Sequence, residues 1–408
     1  MNYKSLALAV LTLMYLYNLI LSVVHMKSAD NPIPENVADV YDRETYAKWR
    51  QYHAERSRFG ILTTTASFLI DLVLISSNAY AWFAGLFPQG TFMQMAAVML
   101  LSALSSLLLI PFSWHSTMVI EEKYGFNRSS VKTFAADQLK EFLIGLLVMV
   151  AVGTLLMWIH LKLGDWLIVL FAGLMTLFAL GIAFLYPVLS RVFNRFVPLE
   201  EGELREKLTL LLEKNGYQVR DIKVMDASRR TTKSNAYFSG FGKMKTIVLY
   251  DTLTETMSAD EICAVFAHEL GHGLHKDTLK NQILSFVQML LLATLAWLTL
   301  RTEGVFADFG FDGINYGFAV ILIISVEFAL ISPLFGLVIN YFSRKAEYRA
   351  DEQAVKEGYG EQLIGALKKL SRQNFSDLAP SPLLVALEYS HPTLSQRIDA
   401  IEKSRESE

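Results

Sequence analysis

His268-Glu269-Leu270-Gly271-His272 is an H-E-x-x-H sequence. On a helix, residues four apart share a face, so both imidazoles can reach one metal ion. The glutamate between them lies beside the pair, where it can accept a proton from a water that the metal acidifies. Zinc suits such donors and lowers the pKa of a water it holds to about 7. The five-residue match is moderately specific by itself, and its surroundings raise that. Ser258-Ala259-Asp260-Glu261 reads as a capping box opening the helix, and Ile262, Val265 and Phe266 give it a buried face. Gly271 and Gly273 sit inside the same helix at a cost of about 1 kcal/mol each relative to alanine, which points to close approach of backbone or substrate.

A catalytic zinc needs a third protein ligand and one open position. His275 is excluded, because seven residues of helix place it about 10.5 Å along the axis from His268. A better source is Ser343-Arg344-Lys345-Ala346-Glu347-Tyr348-Arg349-Ala350-Asp351. Glu347 and Asp351 share a helix face there, so one can ligate while the other holds a ligating histidine in its tautomer. Spacing alone does not say which does which.

Positioning these groups requires a polar unit, and residues 190–281 supply one. Glu200 to Asn215 reads as an amphipathic helix with leucines at 204, 208, 211 and 212, stopped by Gly216. Strand-like runs follow at Ile222–Met225, Ala236–Phe241 and Lys245–Tyr250, the last two joined by Gly242-Lys243-Met244 as a hairpin. The helix with the metal motif comes directly after.

The rest is built for a bilayer. Of the 408 residues 52% are hydrophobic and 19% charged, the latter below the roughly 25% of soluble domains. Seven segments are long and apolar enough to span, near Leu6–Val24, Ile61–Leu86, Phe92–Ile120, Phe142–Leu163, Trp166–Leu189, Ile283–Leu300 and Gly317–Tyr341. The expected organisation is therefore spans one to five in 1–189, a metalloprotease part in 190–281, spans six and seven in 282–342, and a C-terminal part in 343–408 that carries the third ligand. Asp71 and Glu327 lie deep within spans, where ionisable groups face a bundle interior or a wet cavity.

Lys and Arg set the orientation. They concentrate between spans one and two, after the third span (Lys123, Arg128, Lys132, Lys140) and after the seventh (Arg344, Lys345, Arg349). The positive-inside rule places the N-terminus outside and the metal motif on the cytoplasmic side. The basic flank after the first segment, with no small-residue cleavage site, argues for a span over a signal peptide. The single cysteine, Cys263, excludes an intramolecular disulfide and reads as a buried thiol, and a net charge of -3 gives no reason to expect nucleic acid as a partner.

Several stretches, in order along nearly the whole chain, resemble the type I CAAX prenyl endopeptidases, membrane zinc proteases of the a-factor-converting type. They are Glu122-Lys123-Tyr124-Gly125-Phe126-Asn127-Arg128, Tyr186-Pro187-Val188-Leu189, Phe193-Asn194-Arg195-Phe196, Ser234-Asn235-Ala236-Tyr237-Phe238, the H-E-L-G-H motif, the Glu347 segment, and Ser390-His391-Pro392 with Arg397. The resemblance implies a mainly α integral membrane protein of seven helices enclosing a chamber, with a cytoplasmic metalloprotease domain containing a small sheet. It implies one zinc ion held by His268, His272 and Glu347, with Asp351 as support. It also implies His391 as donor to the oxyanion, Asn235 on the strand that pairs with substrate, and Arg397 bracing the His391 side.

The expected activity is hydrolysis of a peptide or protein, C-terminally prenylated by the same resemblance, within membrane lipid. The expected membrane is a bacterial inner membrane, or the endoplasmic reticulum in a eukaryote. Two rivals remain at the level of sequence: a quality-control protease without prenyl dependence, and a seven-helix transporter or receptor with structural zinc. The second fits poorly, since structural sites fill four positions with Cys or His and Cys263 lies on the wrong face from His268.

Overall fold

The computed structural model describes residues 2–189, 192–233, 235–239, 244–302 and 304–407. Ser190, Ser234, Phe241 and the expected Gly242-Lys243 turn lie outside the described residues. Six stretches among the described residues are long and apolar enough to cross a membrane: Tyr3–Ser28, Arg43–Ser76, Thr91–Tyr124, Val131–Gly181, Leu279–Arg301 and Tyr316–Lys356. The fourth contains two helices, Val131–Leu163 and Leu167–Leu189, broken at Gly164 with φ of 53°, so the spans number seven as expected.

Capping side chains start three of these helices. Asn2 accepts from the Ser5 amide at 3.2 Å, Asp42 from Thr45 at 2.8 Å and Ser130 from Thr133 at 3.1 Å, each satisfying a donor without an intrahelical partner. Several helices outrun their hydropathic segments. The second begins at Arg43 rather than near Ile61, and the seventh continues through Glu347 to Lys356. Hydropathy reports only the length immersed in hydrocarbon, whereas a capped helix continues into water without losing hydrogen bonds. In the seventh span Ile323–Phe328 is π-helical, and there Glu327 hydrogen-bonds the Thr299 hydroxyl of the sixth span.

The polar unit holds a four-stranded sheet ordered β1-β2-β4-β3, with β1 at Phe196–Pro198, β2 at Gln218–Met225, β3 at Ala236–Ser239 and β4 at Met244–Tyr250. β3 and β4 pair antiparallel, Ala236 opposite Leu249, and Met244, expected in the turn, is the first residue of β4. β2 lies parallel to β4, and β1 antiparallel to β2. β1 escapes a sequence reading because three residues ending in proline show no alternation. The amphipathic helix forms over Glu203–Lys214, and its Leu208, Leu211 and Leu212 pack with Ile222, Ile247 and Leu249 against Ile262, Phe266 and Leu270 of the H-E-x-x-H helix. Cys263 is buried in that core.

The H-E-x-x-H helix, Ala259–Leu274, packs along the extension of the seventh span. Gly271 makes the contact possible, since a Cβ there would sit 2.7 Å from the Ala350 Cα. After His275 the chain reverses at Lys276, whose φ of 53° is left-handed, and the helix that becomes the sixth span starts at Asp277, ahead of the apolar stretch from Leu279. A non-glycine residue in that region costs on the order of 1 kcal/mol, so packing around the turn must hold it.

Candidate metal centre

The capping box at Ser258 forms as the sequence suggests: the Glu261 amide donates to Ser258 Oγ at 3.2 Å, and the Ser258 amide donates to Glu261 Oε2 at 2.8 Å. The helix it starts carries His268 and His272 on one face, their rings perpendicular and 4.9 Å apart between centroids. Glu347 on the seventh-span extension meets both, with His268 Nε2 3.5 Å from Oε2 and His272 Nε2 3.3 Å from Oε1. One ligand atom from each of the three lies within 4.8 Å of the others.

Both imidazoles are held by carboxylates on their far sides. His268 Nδ1 lies 2.8 Å from Asp351 Oδ1, and His272 Nδ1 lies 3.3 Å from Asp277 Oδ2. Nδ1–H donating outward leaves the Nε2 lone pair of each ring turned toward Glu347. Glu347 is buried, and its Oε2 makes no hydrogen bond among the described residues. An unsatisfied buried acceptor costs about 1–3 kcal/mol. Two convergent nitrogens and that oxygen fit a catalytic zinc, with three protein donors and a fourth position open.

Arg397 is buried beside this cluster and donates through Nε and Nη2 to Asp351 at 2.9 and 2.6 Å, while its Nη1 lies 3.3 Å from Glu347 Oε2. Burial disfavours its charge, but Asp351 and Glu347 more than compensate and raise its pKa. The same guanidinium lies 3.2 Å from His268 Nδ1 and shares Glu347 with His391.

His391 approaches from a loop, its Nε2 3.4 Å from Glu347 Oε1 and its Nδ1 2.9 Å from Ser390 Oγ. Arg344 holds the loop by donating to the carbonyls of Tyr389 at 2.6 Å and Val385 at 2.8 Å. Desolvation in the cleft lowers the His391 pKa against the pull of Glu347, and Arg397 and both metal-site histidines add to the lowering. Glu269 is half-buried, and its carboxylate has no hydrogen-bond partner among the described residues. Asn235 is exposed immediately before edge strand β3, its Oδ1 accepting from the Ala236 amide at 2.9 Å, and it makes no contact with the metal cluster among the described residues.

Asp277 escaped the sequence reading. It is buried, and besides His272 it receives Arg349 Nη2 at 2.7 Å and Lys280 Nζ at 3.2 Å. Burial alone would raise its pKa, but Lys280, His272 and Arg349 together hold the carboxylate below its ordinary range. In the sequence it is one acid among others at the end of the polar stretch, ahead of the sixth span. Only the reversal at Lys276 brings it back against His272.

Comparison with known proteins agrees with this geometry. Residues 4–195 match the family described as CAAX prenyl protease N-terminal, five membrane helices, and residues 198–405 match Peptidase family M48. A CAAX prenyl protease 1 homolog of Arabidopsis thaliana is 32% identical over 410 residues, 95% of each chain. CAAX prenyl protease 1 of Saccharomyces cerevisiae is 31% identical, covering 93% of this chain and 90% of its own. The crystal structure of S. mikatae Ste24p superposes with a TM-score of 0.89 at 28% identity, covering 98% of this chain and 99% of that one. Full-length similarity of this kind, over both the five-helix and peptidase regions, makes the chain a member of the M48 peptidases of the CAAX prenyl protease type, a multi-pass membrane zinc endopeptidase.

Proposed function

We propose that this chain binds one zinc ion through His268, His272 and Glu347 and cleaves C-terminally prenylated peptides that enter a chamber between its seven spans. The observation that carries the reading is the convergence of two imidazole Nε2 atoms on the Glu347 carboxylate, with each Nδ1 backed by a buried aspartate. A zinc ion held by these three residues would supply Lewis-acid polarisation of the scissile carbonyl and a water of lowered pKa. Glu269 takes the proton that this water gives up as its oxygen attacks the carbonyl carbon. Glu269 then returns the proton to the amine nitrogen as the C–N bond breaks. His391 donates through Nε2–H to the oxyanion that forms, and Arg344 keeps its loop in place. Edge strand β3, with Asn235 at its start, adds an extended substrate as a fifth strand and presents one peptide bond. Asp351, Asp277 and Arg397 position the ligands without touching substrate.

The metal motif faces the cytoplasm in this reading, with the N-terminus outside, because the basic loops gather on the motif's side. Two matched peptides test the substrate class, one farnesylated at a C-terminal CAAX cysteine and one bare. Cleavage of the lipidated peptide alone is expected. Equal cleavage of both would instead make the chain a general membrane protease.

A further inference from the structure

A second built feature lies away from the metal. Thr133, Ala136, Asp137 and Lys140, in the first turns of the fourth span's helix, face Val192 to Arg195 just beyond the fifth span and Arg229-Arg230 of the polar unit. Together they enclose a pocket of about 170 Å³, which at ~30 Å³ per water holds roughly five or six waters, room for a phosphate group with part of its hydration. Four cations and one carboxylate line it.

The carboxylate is already engaged. Asp137 receives Arg230 through Nε at 3.0 Å and Nη2 at 3.4 Å, with Lys140 at 3.5 Å. Arg230 also donates to Asn194 at 3.1 Å, and Lys140 lies over the Phe193 ring at 5.2 Å and donates to the Val192 carbonyl at 3.0 Å. These contacts build a fixed wall. Arg195 and Arg229 are exposed at the rim, and neither side chain has a partner among the described residues. The N-terminal end of the fourth span's helix adds its positive dipole to the same place.

The helix face below Lys140 decides between ligands. Leu143, Ile144 and Leu147, three, four and seven residues further on, are exposed by 54%, 43% and 70%. On a helix these positions continue the face that carries Lys140, so an anionic pocket opens onto an apolar stripe pointing into the bilayer. A free phosphate or an acidic peptide would have no use for that stripe, whereas an acyl chain would cover it. We infer that this pocket holds the phosphate of an anionic phospholipid, whose acyl chain lies along Leu143, Ile144 and Leu147. The site is independent of the metal centre and of the peptide substrate.

Full-length protein in neutral detergent, doped with dioleoylphosphatidylglycerol or dioleoylphosphatidylcholine and read by native mass spectrometry, tests this. The expected result is retention of phosphatidylglycerol over phosphatidylcholine, unaffected by millimolar inorganic phosphate or by a poly-glutamate peptide. Arg195→Gln with Arg229→Gln should weaken retention about twenty-fivefold, roughly fivefold for each cation lost at a membrane surface. Lys27→Gln with Lys48→Gln, which removes two exposed cations elsewhere on the same flank, should leave it unchanged. Melting temperatures without added lipid establish that both double variants are folded. Equal retention by the Arg195/Arg229 variant would overturn the proposal. Displacement by inorganic phosphate or by the peptide would do the same, showing a site for soluble anions.

Discussion

Arg397 grips Asp351 with two hydrogen bonds, Nε to Oδ2 at 2.9 Å and Nη2 to Oδ1 at 2.6 Å, and the same guanidinium lies 3.3 Å from Glu347. One cation thus serves both the carboxylate that converges with the histidines and the carboxylate that orients His268. Removing it leaves two buried carboxylates without the cation they share. Loss of one partner from a buried pair costs about 3–5 kcal/mol. Arg397→Ala should therefore unfold at markedly lower denaturant in the presence of a chelator, and added zinc should recover part of the loss by compensating Glu347. Arg397→Lys keeps the charge but not the two-pronged geometry, and should fall between. Unchanged unfolding of Arg397→Ala would mean the pair does not hold the site.

Asp277 should affect metal affinity more than folding. It orients His272 as Asp351 orients His268, and partners of ligating histidines are worth about 10–100-fold in affinity. Competition with a chelator should show that loss in Asp277→Ala. Asp277→Asn, which still accepts from Nδ1–H, should lose less. Equal affinity in all three proteins would remove Asp277 from the account.

The two glycines of the H-E-x-x-H helix should respond differently to alanine. At Gly271 a Cβ meets the Ala350 Cα at 2.7 Å, a backbone that can yield only by moving the Glu347 helix. Overpacking of that kind costs about 1–3 kcal/mol, and here it also spreads the metal ligands. At Gly273 the obstacle is the Tyr217 hydroxyl at 2.7 Å, the far end of a side chain and not backbone. Thermal unfolding and zinc content should both fall in Gly271→Ala and change little in Gly273→Ala. The reverse order would show that the helix contact is not set by Gly271.

How much of this is legible in the sequence depends on the range over which each feature is determined. The seven spans, the capping box at Ser258 and the β3–β4 pairing follow from local pattern, and the structure has them. The pairing of His268 with His272 is equally local, being one helical turn. Glu347 lies far along the chain, and spacing left it level with Asp351; the resemblance separated them, and the structure turns Glu347 toward both Nε2 atoms and Asp351 toward Nδ1. Asp277 could not be found by periodicity, because it depends on a left-handed lysine that no propensity favours. Arg344 and Arg349 entered the sequence reading only as charges that orient the spans. In the fold one braces the His391 loop and the other Asp277. Where the helices end in water lies outside what hydropathy reports, because it measures immersion and not helix length.

The central claim is that His268, His272 and Glu347 hold zinc while Glu269 handles the proton. Zinc content and hydrolysis of a fluorogenic farnesylated CAAX peptide, measured together on wild type and Glu269→Gln, test it most directly. The account predicts about one zinc per chain in both proteins, loss of wild-type hydrolysis on chelation, and a fall of ~10²–10⁴-fold or more in the variant, the range for general-base catalysis. A zinc-loaded Glu269→Gln protein that cleaves at the wild-type rate would contradict it.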